Sequence, residues 1–294
     1  MGHATAARSA AALVSTLVLS NAIPAPARAA EEDEAAKSRI SGILQLDLSN
    51  AYYFRGILQE RDGVVSQPWA ELYLNLCQSE TGPIRDLTVG AGVWNSLHDE
   101  NTLAAQSPAL VYETDWYPLV SVGLPWGLSL TTVYYFYTSP NGAFSTAQEL
   151  NFKLAWDDSE ALGRFALAPW VNFAIETHRT ALGVRAGEGV QLGIAPTLYT
   201  LENEQLPIEI SLPVELGLSI DDYYEKVDLS NNEGFGYFSW GLAARIPLGF
   251  LDASWGAWAL GVTGKGYYFG DSLADVNQFD SLQSQGVGSL SLEF

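Results

Sequence analysis

Cysteine is almost missing from this chain, and Cys77 is its single representative. One thiol cannot close an internal disulfide, so a covalently stapled fold is excluded, and so is a cysteine-built zinc site. Cys77 ends a stretch of apolar–polar alternation and reads as a packing residue. Positive charge is scarce as well. Lys and Arg number 14 against 34 Asp and Glu, a formal net charge of −20. Two of those cations, Arg8 and Arg28, fall within the first 29 residues. Binding to nucleic acid through a basic patch is thereby excluded. Charged residues make up only 16% of the chain, below the roughly 25% usual for soluble domains. Long apolar runs are also lacking. No stretch of about 18 apolar residues follows residue 29, which excludes a spanning helix, and helical periodicity is equally rare.

Histidine is sparse, with His3, His98 and His178 only. His98, after Ser96-Leu97, and His178, in Glu176-Thr177-His178-Arg179-Thr180, read as solvated loop positions. Neither is set beside a serine as a Ser–His nucleophile would require. No metal-ligand cluster, phosphate-binding glycine loop or nucleophile elbow occurs. The acids around Asp221-Asp222 lack a calcium-loop signature. The expectation is therefore no enzyme, no catalytic residue, no metal and no cofactor.

What is present begins with a leader. Arg8 supplies a short positive segment, Ala10 to Ile23 an apolar one, and Ala27-Arg28-Ala29 a small-x-small cleavage pattern. Residues 1–29 read as a signal peptide, and 30–39 as a flexible periplasmic lead-in. From residue 40 to 294 the dominant pattern is alternation of period two. Leu44, Leu46 and Leu48 oppose Gln45, Asp47 and Ser49; Ala70, Leu72 and Leu74 oppose Glu71, Tyr73 and Asn75. Twelve such segments can be marked, near 40–54, 64–77, 86–95, 109–118, 127–138, 147–156, 164–175, 190–200, 208–220, 235–246, 254–268 and 283–294. Short and longer connections alternate between them, the arrangement of a barrel with tight turns on one rim and larger loops on the other. Many segments exceed the about 9–11 residues that a tilted strand needs to cross hydrocarbon. An open sheet edge in lipid would leave backbone groups unpaired, so the sheet must close. The fold class that follows is all-β: a closed antiparallel transmembrane β-barrel of about twelve strands.

Tyr52, Trp94, Trp116, Trp126, Tyr134, Trp156, Trp170, Trp240, Trp258 and Tyr268 fall near strand ends, where aromatic girdles belong. The chain closes on Gly288-Ser-Leu-Ser-Leu-Glu-Phe294, which resembles the C-terminal signal read by barrel-assembly machinery. On the polar faces the alternation places Asp47, Glu71, Glu113, Asp115, Glu149, Lys153, Glu209, Glu215, Arg245 and Lys265, the candidates for facing the lumen.

Asn50-Ala-Tyr-Tyr-Phe-Arg-Gly-Ile-Leu-Gln59, then Gln67-Pro-Trp-Ala-Glu-Leu-Tyr-Leu and Gly92-Val-Trp94-Asn95, resemble the opening of the TorF-like porin family over about residues 40 to 96. The resemblance implies an outer-membrane barrel and, beyond that, a channel. Arg55 and Gly56 are its family-typical pair, read as the bend from first strand to first loop, with Gly56 supplying backbone freedom. The expected function is passive diffusion of small solutes through a narrow outer-membrane channel. The acidic excess favours cations or neutral solutes. The alternative is a non-conducting structural or adaptor barrel presenting loops to envelope partners. Its partners would be outer-membrane lipid and the assembly machinery, with small solutes in the channel case; the oligomeric state is left open.

Overall fold

The computed structural model describes residues 39–100, 110–179, 186–203, 206–225 and 233–294. The expected leader and all but the last residue of the lead-in lie outside these. In chain order the strands are β1 (Ile40–Ser49), β2 (Tyr52–Phe54), β3 (Ile57–Glu60), β4 (Val65–Gln78), β5 (Asp86–His98), β6 (Val111–Gly123), β7 (Leu128–Thr138) and β8 (Ala147–Trp156). They continue as β9 (Trp170–His178), β10 (Glu188–Ile194), β11 (Thr197–Leu201), β12 (Ile208–Ser211), β13 (Val214–Asp221), β14 (Phe235–Pro247), β15 (Ala257–Phe269) and β16 (Leu282–Glu293). Two short helices, α1 (Ser159–Leu162) and α2 (Asp271–Val276), lie in connections.

Twelve strands form one antiparallel wall in the order β1-β4-β5-β6-β7-β8-β9-β10-β13-β14-β15-β16, and β16 pairs back onto β1. The closing register runs from Ile43 opposite Glu293 to Ser49 opposite Val287. Phe294 extends it, since its N–H donates to Gly42 O at 3.0 Å and Gly42 N–H donates to Phe294 O at 2.8 Å. Both described ends and the connections 79–85, 124–127, 157–169, 202–207 and 248–256 share one rim. The strand ends Ser49 and Val65, His98 and Val111, Thr138 and Ala147, His178 and Glu188, Asp221 and Phe235, and Phe269 and Leu282 lie at the other, the loop rim.

The alternation of the sequence becomes the two sides of this wall, with the usual sense inverted. Leu44 and Leu48 are each 47% exposed, while Asp47 between them is 2% exposed. On β15, Leu260, Val262 and Tyr268 face out, and Thr263, Lys265 and Tyr267 are buried inside. A soluble protein does not display a continuous apolar band on this scale. Hydrocarbon accepts it, and the closed ladder leaves no strand edge unpaired there. The fold is thus a membrane β-barrel.

Several boundaries shift for identifiable reasons. The first strand, expected to reach residue 54, stops at Ser49, and the chain turns inward. The strand expected from residue 164 begins at Trp170, because α1 and a 3-10 turn at Gly163–Phe165 precede Pro169. The segments expected at 190–200 and 208–220 each break in two, at Ala195-Pro196 and Leu212-Pro213. A proline has no N–H to give the ladder. Their far halves, β11 and β12, pair with each other, and β12 also lies along β14. Cys77 does not pack inward; it is exposed at a register shift between β4 and β5.

The girdle also needs correction. Trp116, Trp126, Trp156, Trp240 and Tyr268 are exposed on the outer surface. Tyr52 and Trp94 are buried in the lumen, at 1% and 2% exposure, and Trp170 turns inward over Gly193. Alternation locates strands, but the face of an aromatic depends on register, and one residue of slip reverses it.

Candidate functional site

The lumen is where the chain's polar chemistry gathers, and its loop-side half is filled by the segment after β1. β2 and β3 form a hairpin whose two turn residues, Arg55 and Gly56, have φ of 47° and 82°. Positive φ at both positions is the tight hairpin turn that matches strand twist, and Gly takes it without strain. A Cβ on Gly56 would also lie 2.7 Å from the Tyr237 ring and 2.9 Å from Leu273. Arg55 and Gly56 do make a bend, but inside the barrel and not at its mouth.

Arg55 is the anchor of this hairpin. Its Nη1 donates to Glu149 Oε2 at 2.6 Å and its Nη2 to Glu149 Oε1 at 2.5 Å, a bidentate pair with both side chains buried. Nη2 also donates to Asn151 Oδ1 at 2.8 Å, and Nη1 to the Tyr223 hydroxyl at 2.5 Å. Tyr137 and Tyr223 donate to the Glu149 carboxylate at 3.0 and 2.9 Å. The guanidinium sits over the rings of Phe54 and Tyr223, 5.3 and 5.5 Å from their centroids. Glu149 is thus held at the inner wall by β8, and its charge is met by the hairpin tip.

Both ends of the chain's loop rim reinforce the plug. Asn277, fully buried after α2, accepts from Leu58 N–H at 2.8 Å and donates to Gly56 O at 2.7 Å. Gln285 donates to Ala51 O at 2.7 Å, and Tyr53 stacks on Tyr267 at 4.7 Å. Tyr52 donates to Glu113 at 2.9 Å. Replacing Asn277 with alanine strands two buried backbone groups at about 1–3 kcal/mol each. The expected outcome is faster hydrogen exchange at the Leu58 amide with an unchanged barrel; unaltered exchange there would contradict the role.

The ten lumen candidates are distributed as follows. Asp47, Glu71, Glu113, Asp115, Glu149 and Lys265 are buried, and Lys153, Glu209, Glu215 and Arg245 are half-buried. Glu71 accepts from Tyr117 at 2.7 Å and from Tyr73. Asp47 accepts from Gln45 at 2.7 Å and from the Trp69 indole at 3.4 Å. Glu215 accepts from Tyr237, and Glu209 from Thr197 at 3.2 Å. Arg245 reaches Glu293 at 3.4 Å. The candidates therefore do not form one cluster. Glu113, Asp115 and Glu149 belong to the hairpin's seat; Asp47 and Lys265 also lie nearer the loop rim, Glu71 is mid-strand, and Lys153, Glu209, Glu215 and Arg245 lie nearer the terminal rim. Sequence reasoning missed Tyr223, Tyr224 and Asn277, which enter the lumen from loops, where no periodicity marks direction. A local signal for the hairpin did exist: a turn-forming Arg55-Gly56 between the apolar runs Tyr52–Phe54 and Ile57-Leu58.

His98 is not solvated, contrary to expectation. It is 1% exposed, stacked 4.5 Å from Tyr112, with Nε2 2.8 Å from Ser96 Oγ and Nδ1 3.7 Å from Glu60 Oε2. His178 is exposed at the end of β9. The Ser96–His98–Glu60 row has the residue types of a nucleophile relay. Ser96 and Glu60 are both 0% exposed, however, and Glu60 belongs to the hairpin. Withdrawing the hairpin to admit a substrate would remove the third member. A serine-directed fluorophosphonate is expected to leave Ser96 unlabelled in the folded protein; labelling lost in Ser96→Ala would show the opposite. Among the described residues no group of acids, histidines and cysteines is arranged to hold a metal ion.

The fold and site together define a membrane β-barrel with a loop-side plug. No protein-family model matches the chain, and no curated protein sequence does. Among solved structures, it is similar to an outer membrane channel from Pseudomonas putida F1, at 10% identity over 90% of this chain and all of that one, with a TM-score of 0.46. It is also similar to the β domain of the Bordetella autotransporter BrkA, at 10% identity over 86% of this chain and 98% of that one, TM-score 0.40. A third is the translocator domain of the autotransporter NalP from Neisseria meningitidis, at 10% identity over 89% and 90%, TM-score 0.38. Scores this low carry nothing about function; the fold rests on the closed register.

Proposed function

We propose that this protein is an outer-membrane channel for small solutes, closed on its loop side by the 51–60 hairpin. The carrying observation is the division of the lumen. Its loop-side half is packed around the Arg55–Glu149 pair, while the wall below mixes Ser, Thr and ionisable side chains with the buried Tyr73 and Leu119, inside an apolar exterior. Twelve strands enclose more space than the about eight whose side chains fill a barrel. The leader expected at 1–29 and the resemblance of residues 50–59 to the TorF-like porin family support outer-membrane residence, with lipid and barrel-assembly machinery as partners.

A preference for cations or neutral solutes has the chain's acidic excess in its favour. The lumen carboxylates are largely engaged by tyrosine, amide and arginine donors, which weakens that support. A reversal potential measured in a salt gradient decides the sign. In planar bilayers the intact protein is expected to conduct little, and a variant lacking residues 51–60 to conduct steadily. If that variant folds and stays closed, the channel reading fails. The second reading, a non-conducting structural or adaptor barrel, is favoured by the dense packing of the hairpin, and that same result would establish it.

A further inference from the structure

Away from the hairpin and its seat around the Arg55–Glu149 pair, the lumen's carboxylates have hydrogen-bond donors, while two of its cations lack a hydrogen-bond or ion-pair partner among the described residues. Asp47, Glu71, Glu209 and Glu215 each accept a hydrogen bond, and Glu293 meets Arg245. The lysines differ. Among the described residues, neither Lys153 nor Lys265 has a hydrogen bond or a carboxylate within ion-pair distance. Glu215 acts on both lysines only at longer range, and Asp47 does so on Lys265.

Around Lys153 the wall is built to receive an acceptor. Lys153 on β8 pairs across to Asn172 on β9, which pairs to Gln191 on β10, so all three share a level and a face. Asn172 donates to Gln191 Oε1 at 2.7 Å and to Asn151 Oδ1 at 2.8 Å. Gln191 is 3% exposed, and its Nε2 has no partner. Two residues along the same face, Gly193 leaves room for the Trp170 indole, which lies across it. The Lys153 ammonium sits 4.8 Å above that indole, on the way to β10. The site therefore combines an unpaired ammonium, a buried amide donor without an acceptor, the partnerless Asn172 Oδ1 between them, and an aromatic surface. An unmet buried donor is costly, and a carboxylate would satisfy the ammonium and the Gln191 amide.

We propose that Lys153 and Gln191 bind the carboxylate of a small organic acid in the lumen, with Trp170 beneath its carbon chain. The proposal deepens the channel reading and depends on it for the solute's arrival, not for its binding. Glutarate is the probe, titrated by calorimetry at low salt into the folded protein in detergent, with choline as the cationic counterpart. Glutarate is expected to bind and choline not to. Lys153→Met should weaken glutarate by about tenfold or more, the loss of one charge-assisted bond. Gln191→Leu should weaken it less, and Lys153→Arg should retain it. Heat-modifiable gel mobility verifies that each variant is folded. Absence of glutarate binding, equal affinity in folded Lys153→Met, or binding of choline instead would overturn the proposal. If glutarate binds but the variant lacking residues 51–60 never conducts, the channel reading alone fails.

Discussion

Replacing Arg55 with methionine is expected to turn a closed barrel into a conducting one. The guanidinium is the only cation in contact with Glu149 among the described residues. Removing it leaves a buried carboxylate with only hydroxyl and amide donors, from Tyr137, Tyr223 and Asn151. Breaking one side of a buried pair costs about 3–5 kcal/mol. The wall pays none of this directly, because its ladder does not involve Arg55. The loss should fall on docking of the hairpin. Amides of residues 52–60 should exchange faster, bilayer currents should appear, and heat-modifiable mobility should persist. Glu149→Gln should act in the same direction more weakly, since its amide still accepts hydrogen bonds. The pair's role is refuted if Arg55→Met leaves both exchange and current unchanged.

A second large effect is expected on the outer face. Leu46 points outward and is 39% exposed, and its neighbour Asp47 is buried inside. An arginine in the apolar band of a membrane barrel costs about 2–4 kcal/mol near the bilayer midplane. Leu46→Arg should therefore fold poorly into bilayers of dilauroyl lipid, as read by the fraction showing the heat-modifiable band. The change Gln45→Arg, one residue away on the inner face, should be far milder. Equal yields for the two variants would mean that the band around Leu46 does not meet hydrocarbon.

The contrast between Leu46 and Gln45 was readable in the sequence because a strand has only two faces. The same holds for Glu71 against Leu72 and for Lys265 against Gly264. Such residues are placed by parity once a strand is recognised, and strands as long as β4, β6 and β15 are hard to miss. Legibility ended where parity ends. Tyr52 and Phe54 continue the first strand's alternation on paper, but the chain leaves the wall at Asn50. Nothing local to residues 50–60 announces Glu149, Tyr223 or Asn277, its partners from remote segments. His98 looked like a loop residue because the apolar lid above it comes from Tyr52 and Tyr112. The breaks at Pro196 and Pro213 were the reverse case, legible in residue type but passed over by a count of alternating positions.

The hairpin follows directly upon β1, yet its partners are strewn over the rest of the chain. Arg55 waits for Glu149, Leu58 for Asn277, and Ala51 for Gln285. Native contacts of such sequence separation are slow to form, because loop closure is spent before they reward it. The first segment to emerge after β1 is therefore among the last to find its place. The hairpin's full set of contacts, Gln285 included, thus exists only once β16 has joined the wall.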